Sequence, residues 1–313
     1  MGTIAERSRW ERFLRIVEIR TKVVSVSALL IGTAFAVWYS GAFDATVFVL
    51  MALATLLVDM GTTAFNSYFD FTGGVDSATH NREGDKVLVH EKGVHPLQAF
   101  LIGAACFLLA MPIGLAIGFL VGWEIIFVGA ACMAVGYLYN GGPLPLSRTP
   151  LGELFAGGFL GGVLVLLSYY VQTRTLDTAG VLISLPSLLM VASILTVNNT
   201  CDVVGDTEAG RKTLSIVFGP AVGEAIVYAL GALSLLLLAG YSVAGLLPTV
   251  PGLVAVAAVT PPIVIQYRRM HRRGFSHDTK GPSMGAILLV FKLYTIAVLA
   301  ILLTPILLQS AAL

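Results

Sequence analysis

The sequence predicts an all-α membrane protein with nine spanning helices and a polar cap at one end, and three observations carry this. The chain has 313 residues, 57% apolar and only 12% charged. An ordinary soluble domain is about 45–50% apolar and about 25% charged, so this chain lacks the polar residues to cover a soluble globule. The apolar residues fall into runs of about 20, the length of helix that crosses a bilayer. Finally, the basic residues concentrate in alternate loops. A disordered chain, a disulfide scaffold and a nucleic-acid binder are excluded. Cys106, Cys132 and Cys201 are too few and too far apart for a disulfide framework or a zinc site.

The runs place spans at about 22–40, 45–66, 97–118, 121–139, 150–171, 180–199, 215–240, 246–267 and 284–308. Ahead of them, Trp10, Phe13, Leu14 and Val17 recur at i, i+3, i+4 and i+7 among Arg7, Arg9, Arg12 and Arg15. Residues 1–21 therefore read as an amphipathic helix in the headgroup layer, a basic anchor without a catalytic part. No small-residue cleavage site precedes the second helix, so the first span is expected to be retained. Residues 1–313 read as a single integral-membrane domain.

Six Lys and Arg residues lie before residue 23, three in 67–96, one in 140–149, two in 200–214 and five in 268–283, in all 17 of the 19. With nine spans these segments share one side, which the positive-inside rule makes cytoplasmic. The expected location is a prokaryotic cell membrane, with the lipid bilayer as a partner.

The acidic residues cluster on that same side. After the second span the chain reads NSYFDFTGGVD, Asn66 to Asp76; after the sixth it reads NNTCDVVGD, Asn198 to Asp206. Asn66 and Asp70 are four apart and share a helix face, as do Asn198, Asp202 and Asp206. Gly73-Gly74 ends the first helix, so Asp76 has to return from a turn, and Gly205 is expected to loosen the second. The clusters lie four helices apart, which predicts two pseudo-repeated halves. Carboxylates and amide oxygens are hard donors suited to Mg²⁺, which is typically held by one or two carboxylates plus substrate phosphates. The candidate metal ligands are Asn66, Asp70, Asp76, Asn198, Asp202 and Asp206. Lys86, Arg211 and Lys212 are candidate phosphate contacts. A membrane enzyme for a diphosphate with an apolar remainder points to a polyprenyl diphosphate. Asp59, inside the second span, costs about 2.5–3.5 kcal/mol on insertion scales and is a candidate to deprotonate or orient an acceptor.

At these residues the sequence resembles the UbiA superfamily of intramembrane prenyltransferases. The Asp70-to-Asp76 spacing through FTGGV is similar to the branch that prenylates 1,4-dihydroxy-2-naphthoate. YNGGPLPLSRTPLGEL (Tyr139 to Leu154), the NNT at Asn198 and DTEAGRKTL (Asp206 to Leu214) are similar to it as well. The resemblance implies a helical bundle, Mg²⁺ dependence and transfer of a prenyl chain to an aromatic ring with loss of CO₂, a step of menaquinone biosynthesis. It implies catalytic roles for Asp70, Asp76, Asp202 and Asp206. It also implies acceptor or substrate contacts by Tyr139, Asn140, Glu153, Asn198 and Asn199. Three positions depart from the pattern: Ser67, Asn140, and Cys201 where the branch usually carries Arg. Other acceptors (4-hydroxybenzoate, homogentisate, a glycerol-phosphate lipid) and an ion or lipid transporter are the alternative readings.

Overall fold

A computed structural model describes residues 8–76, Leu88 and 95–311. Lys86, one of the expected phosphate contacts, lies outside the described residues. Among these residues the chain is helical and carries no strand. Eight helices among the described residues are long and apolar enough to cross a membrane. They are α2 (Val23–Ser40, entered through a 3₁₀ turn at Ile19–Lys22), α3 (Ala45–Thr72), α4 (Pro96–Leu120), α6 (Gly152–Thr173), α7 (Thr178–Cys201), α10 (Pro220–Val243), α11 (Thr249–Arg273) and α12 (Lys280–Ala311). The remaining predicted span is α5, Glu124–Asn140, which is apolar but only 17 residues long. Short helices α1 (Arg9–Ile16), α8 (Val203–Glu208) and α9 (Leu214–Val217) lie at the polar end.

Turn chemistry sets the helix ends. Ser8 and Glu11 cap α1 reciprocally, Asp44 caps α3 and Asp177 caps α7. The main core joins α2, α6, α7, α10, α11 and α12 around Phe35, Tyr169, Met190, Phe291 and Tyr294. A second cluster of Leu29, Val47, Met51, Ile117, Ile125 and Val171 closes the bundle between α2, α3, α4, α5 and α6. Within α6, Gly157–Val163 is a π-helical stretch. A side chain at Gly157 or Gly161 would meet the α7 backbone, so these glycines let α6 and α7 touch.

The N-terminal segment differs from the expected surface anchor. Trp10 is exposed, but Ile16 and Val17 are buried. The chain then turns at Glu18 in a left-handed conformation (φ 46°) before entering α2. Leu88, Ala64, Ala99 and Ile16 form a small core, so α1 is packed onto α3 and α4 and does not merely lie on lipid.

Asp59 is held in a buried ion pair. Lys22 Nζ donates to Asp59 Oδ1 at 2.6 Å and to Thr63 Oγ1 at 2.7 Å, and Ser25 Oγ donates to Asp59 Oδ2 at 2.6 Å. Both carboxylate oxygens are therefore occupied, and Lys22 is 3% exposed. Asp59, expected to deprotonate or orient an acceptor, accepts these hydrogen bonds from a lysine and a serine that fasten α2 to α3, and it also lines the apolar interior of the bundle. Removing one partner of such a pair leaves an uncompensated charge and costs about 3–5 kcal/mol. Lys22→Met and Asp59→Leu should each lower the detergent melting temperature markedly, and the two combined should recover at least half of the summed loss. Strictly additive losses in the double variant would show that the pair is not coupled.

Candidate active site

Each acidic cluster is shaped by a helix that stops and a glycine that turns the chain back. α3 ends at Thr72, and Gly74 takes φ +71°. The backbone N–H groups of Val75 and Asp76 then donate to the Asp70 carbonyl at 2.9 and 3.0 Å, which returns Asp76 to the helix end as expected. Gly73 is required here, because a Cβ would lie 2.6 Å from Arg148 Nη2 and 2.7 Å from the Phe69 carbonyl oxygen. At the second cluster the helix breaks at Asp202, the C-cap of α7, and not at Gly205, which lies inside α8. Asp202 leaves α-helical geometry (φ −97°, ψ 9°), and Asp206 N–H still donates to the Asp202 carbonyl at 2.8 Å. Gly210 (φ +73°) then turns the chain so that Arg211 N–H donates to the Asp206 carbonyl at 2.8 Å.

Arg211 joins the two clusters. Its Nη2 lies 2.7 Å from Asp70 Oδ1 and its Nη1 lies 3.3 Å from Asp206 Oδ1. Lys280, the first residue of α12, places Nζ 2.7 Å from Asp202 Oδ2, and His277 Nδ1 is 3.9 Å from Asp202 Oδ1. Burial pushes the Asp206 carboxyl up to about 6, against the pull of Arg211. Arg211 is itself buried. Burial works against its charge, but the carboxylates of Asp70 and Asp206 outweigh that and hold its pKa above the usual arginine value.

These groups line a polar chamber of about 710 Å³ that also receives Arg15, Glu18 and Arg20. A second cavity of about 470 Å³, mostly apolar, is lined by Asn66, Tyr139, Asn140, Ser147 and Asn199 and runs on past Cys132, Phe159, Leu164 and Ile117. The two meet, since Asp70, Asn198, Arg211, Glu18, Thr21 and Met284 line both. Among the described residues, buried oxygens of Asn66 (Oδ1), Asn140 (Oδ1), Ser147 (Oγ) and Asp206 (Oδ2) have no hydrogen-bond partner. Unpaired buried oxygens cost free energy unless something binds them.

The expected residues separate into three groups. Asn66, Asp70, Asp76, Asn198, Asp202, Asp206 and Arg211 line one or both cavities, and Asp59, Tyr139, Asn140 and Asn199 line the apolar one. Glu153 does not line either: its Oε1 accepts from Asn199 Nδ2 at 2.8 Å, so it stands behind Asn199 as an orienting group. Lys212 is exposed, and its backbone N–H, not its ammonium, is tied down, donating to the Arg148 carbonyl at 2.9 Å. The sequence reading passed over Arg15, Ser147, His277 and Lys280. The His277 side chain is 28% exposed and faces Asp202.

The chemistry of the donor set suits a hard divalent cation. Four carboxylates and the Asn198 amide line the chamber, Asn66 lines the adjoining cavity, and among the described residues Asn66 and Asp206 each keep a buried oxygen unpaired. Among the described residues, however, no three His, Cys, Asp or Glu side chains stand close enough to hold a metal alone. That arrangement fits an ion that takes part of its coordination from a bound phosphate.

The fold and site define an α-helical membrane bundle in which an acid-lined chamber opens into an apolar cavity. The chain belongs to the UbiA prenyltransferase family, whose profile matches residues 25–296. It is 36% identical over 199 residues to a 1,4-dihydroxy-2-naphthoate octaprenyltransferase of Bacillus subtilis strain 168. That match covers 64% of this chain and 63% of the relative's length. The protein of the same name from Mycobacterium leprae is 27% identical over 273 residues, covering 86% of this chain and 87% of the other. The fold matches a UbiA homologue from Archaeoglobus fulgidus bound to DMAPP and Mg²⁺, with a TM-score of 0.62 and 16% identity over 93% of this chain and 99% of that one.

Asp70, Asp76, Asp202 and Asp206, substituted singly by Ala, should each lower turnover at least about a hundredfold, the scale on which lost electrostatic stabilisation of a leaving group is felt. Turnover within tenfold of wild type in any of them would remove that residue from the site.

Proposed function

We propose that the protein transfers a polyprenyl group from a polyprenyl diphosphate to an aromatic acceptor, 1,4-dihydroxy-2-naphthoate, with loss of CO₂. The observation that carries this reading is the junction of the two cavities at Asp70, Asn198 and Arg211. A substrate with a doubly charged head and a hydrocarbon tail matches a polar chamber continuous with an apolar one. The names of the B. subtilis and M. leprae relatives support the acceptor. The basic residues on the chamber's side of the chain support a cytoplasmic orientation in a bacterial membrane.

Mg²⁺ would be held by Asn66, Asp70, Asp76, Asn198, Asp202 and Asp206, and would supply neutralisation of the diphosphate as it leaves. The Mg²⁺-bound Archaeoglobus homologue supports the choice of ion. Arg211 contributes a fixed guanidinium able to bind two phosphate oxygens. The apolar wall excludes water from the allylic carbon, so the cation formed when its C–O bond breaks meets the acceptor and not solvent. Tyr139, Asn140, Ser147 and Asn199 present polar atoms to the acceptor end of that cavity. The unpaired oxygens of Asn140 and Ser147 can accept hydrogen bonds from ring hydroxyls. Bond formation at the ring carbon bearing the carboxylate gives a non-aromatic ring. Cleavage of the carbon–carboxylate bond then returns its electron pair to the ring and releases CO₂, so no ring proton has to be removed. That economy agrees with Asp59 being committed to Lys22.

Purified protein supplied with Mg²⁺, a polyprenyl diphosphate and carboxyl-labelled acceptor should release one labelled CO₂ per prenyl group transferred, and EDTA should abolish the reaction. Label retained in a lipid product would reassign the acceptor and leave the prenyl transfer intact; activity that survives EDTA would remove the metal. Arg211→Ala should raise the apparent KM for the diphosphate more than it lowers kcat for the acceptor. A rise confined to the acceptor KM would take Arg211 away from phosphate.

A further inference from the structure

A turn outside the chamber touches both of the acidic turns that build it. Between α5 and α6 the chain reads YNGGPLPLSRTP, and Leu146–Arg148 form a 3₁₀ turn. Pro143, Pro145 and Pro150 restrict the backbone around it. The turn also locks itself. Arg148 N–H donates to the Pro145 carbonyl at 3.0 Å, and Thr149 donates to the Leu146 carbonyl through its N–H at 3.1 Å and its hydroxyl at 2.8 Å.

Arg148 acts through both its side chain and its backbone. Its Nη2 donates to the Gly73 carbonyl at 3.3 Å, and Gly73 is the C-cap of α3, where the chain turns back to bring Asp76 to the helix end. The guanidinium fills the space that a side chain at 73 would take, since a Cβ there would lie 2.6 Å from Nη2. A cation at a helix C-terminus is favoured by the dipole, and its N–H satisfies a carbonyl left over at the helix end. The Arg148 carbonyl accepts from Lys212 N–H at 2.9 Å, one residue beyond Arg211. One residue thus holds the Asp70–Asp76 turn with its side chain and the Asp206–Arg211 turn with its backbone. Arg148 is half-buried and lines neither the polar chamber nor the apolar cavity. Its neighbour Ser147 does line the apolar cavity. The same rigid turn is therefore fixed to both acidic turns and to the cavity wall.

We propose that Arg148 is a positioning residue that clasps the two acidic turns at a fixed separation from behind the chamber, without touching substrate. Arg211 joins the same two turns from inside, through the carboxylates of Asp70 and Asp206, and a bound phosphate competes with those carboxylates for its guanidinium. Arg148 joins them through the Gly73 carbonyl and the Lys212 amide, bonds outside both cavities that a ligand in the chamber does not compete for. The acidic turns therefore keep their spacing while Arg211 exchanges carboxylate for phosphate oxygens. The consequence for binding rests on the reading of the chamber as a diphosphate site.

Two measurements on the purified full chain in detergent test this. One is calorimetric titration with inorganic pyrophosphate and Mg²⁺, with no acceptor and no turnover. The other is hydrogen exchange of the backbone amides of Gly74, Val75 and Asp76. Arg148→Ala removes the side-chain grip and keeps the backbone carbonyl. It should weaken pyrophosphate binding about fivefold, the scale of one net hydrogen bond, and speed exchange at 74–76 by about the same factor. Arg148→Lys keeps a charged donor for the one carbonyl used and should stay within about twofold of wild type in both measurements. Arg148→Met keeps the stem without the donor and should match Arg148→Ala. Melting curves identify a variant that has not folded, and the other of these two then carries the comparison. Wild-type affinity in Arg148→Ala and Arg148→Met overturns the proposal. Weakened binding with unchanged exchange at 74–76 also overturns it, because Arg148 would then act as a distant charge and not as a clasp. A wild-type chain that does not bind pyrophosphate at all would instead remove the reading of the chamber, and the exchange rates alone would then decide whether Arg148 holds the turn.

Discussion

Arg211 bridges two acidic helix ends that come from opposite parts of the chain, and the geometry of the chamber depends on that bridge. Asp70 ends α3, and Asp206 lies 136 residues later on α8, beyond the break in the helix at Asp202. Like charges brought together at the edge of an apolar bundle repel, and burial adds a desolvation cost to each. Asp206 registers this, with its carboxyl raised to about 6 by burial even with Arg211 beside it. Without the guanidinium the ends of α3 and α8 would repel each other. With it they are held at 2.7 and 3.3 Å from a single side chain.

The same constraint explains the backbone around it. Gly74 and Gly210 each follow an acidic residue by four positions and take positive φ. Each turn spends a backbone N–H on the carbonyl of that acidic residue, Asp76 on Asp70 and Arg211 on Asp206. The carboxylate side chains are left for the chamber while the helix-end carbonyls are satisfied by the returning chain. Local backbone chemistry and long-range charge pairing therefore select the same arrangement, a consistency expected of a specified site.

What was legible in the sequence was local. Runs of apolar residues located the long helices, with ends up to about six residues off, because bilayer thickness imposes length and the absence of water imposes helicity. The Gly73-Gly74 break was enough to anticipate that Asp76 returns to the end of α3 beside Asp70. What was not legible was pairing across the chain. Lys22 and Asp59 are 37 residues apart and Lys280 and Asp202 are 78 apart, and no spacing announces such partners. The sequence therefore shows a buried Asp in a span without showing the Lys22 that pairs with it. Lys280 was counted among inner-surface charges, since nothing in GFSHDTKGPS says that the turn folds over Asp202. Glu153 stands in a motif that reaches the site, but its carboxylate is one residue behind it, on Asn199. The helix break at Asp202 was missed because Gly205 is the weaker helix former of the two, and the capping geometry at the end of α7 prevailed.

The bundle contains buried charge of two kinds, and the difference between them is informative. Lys22, Asp59, Ser25 and Thr63 saturate one another: each oxygen of Asp59 is met at 2.6 Å, so the group is complete. Such a closed pair costs desolvation and repays it only by fixing how α2 meets α3. The chamber pairs are open. Asp206 Oδ2 and Arg211 Nε are buried and unmatched, and Asn66 Oδ1 is unmatched beside them. An open network in a low-dielectric site is costly to maintain and is the first to gain when an ion or anion of matching charge arrives. Both cost and gain are concentrated where the polar chamber meets the apolar cavity, which is where a charged head and a hydrocarbon tail have to be parted.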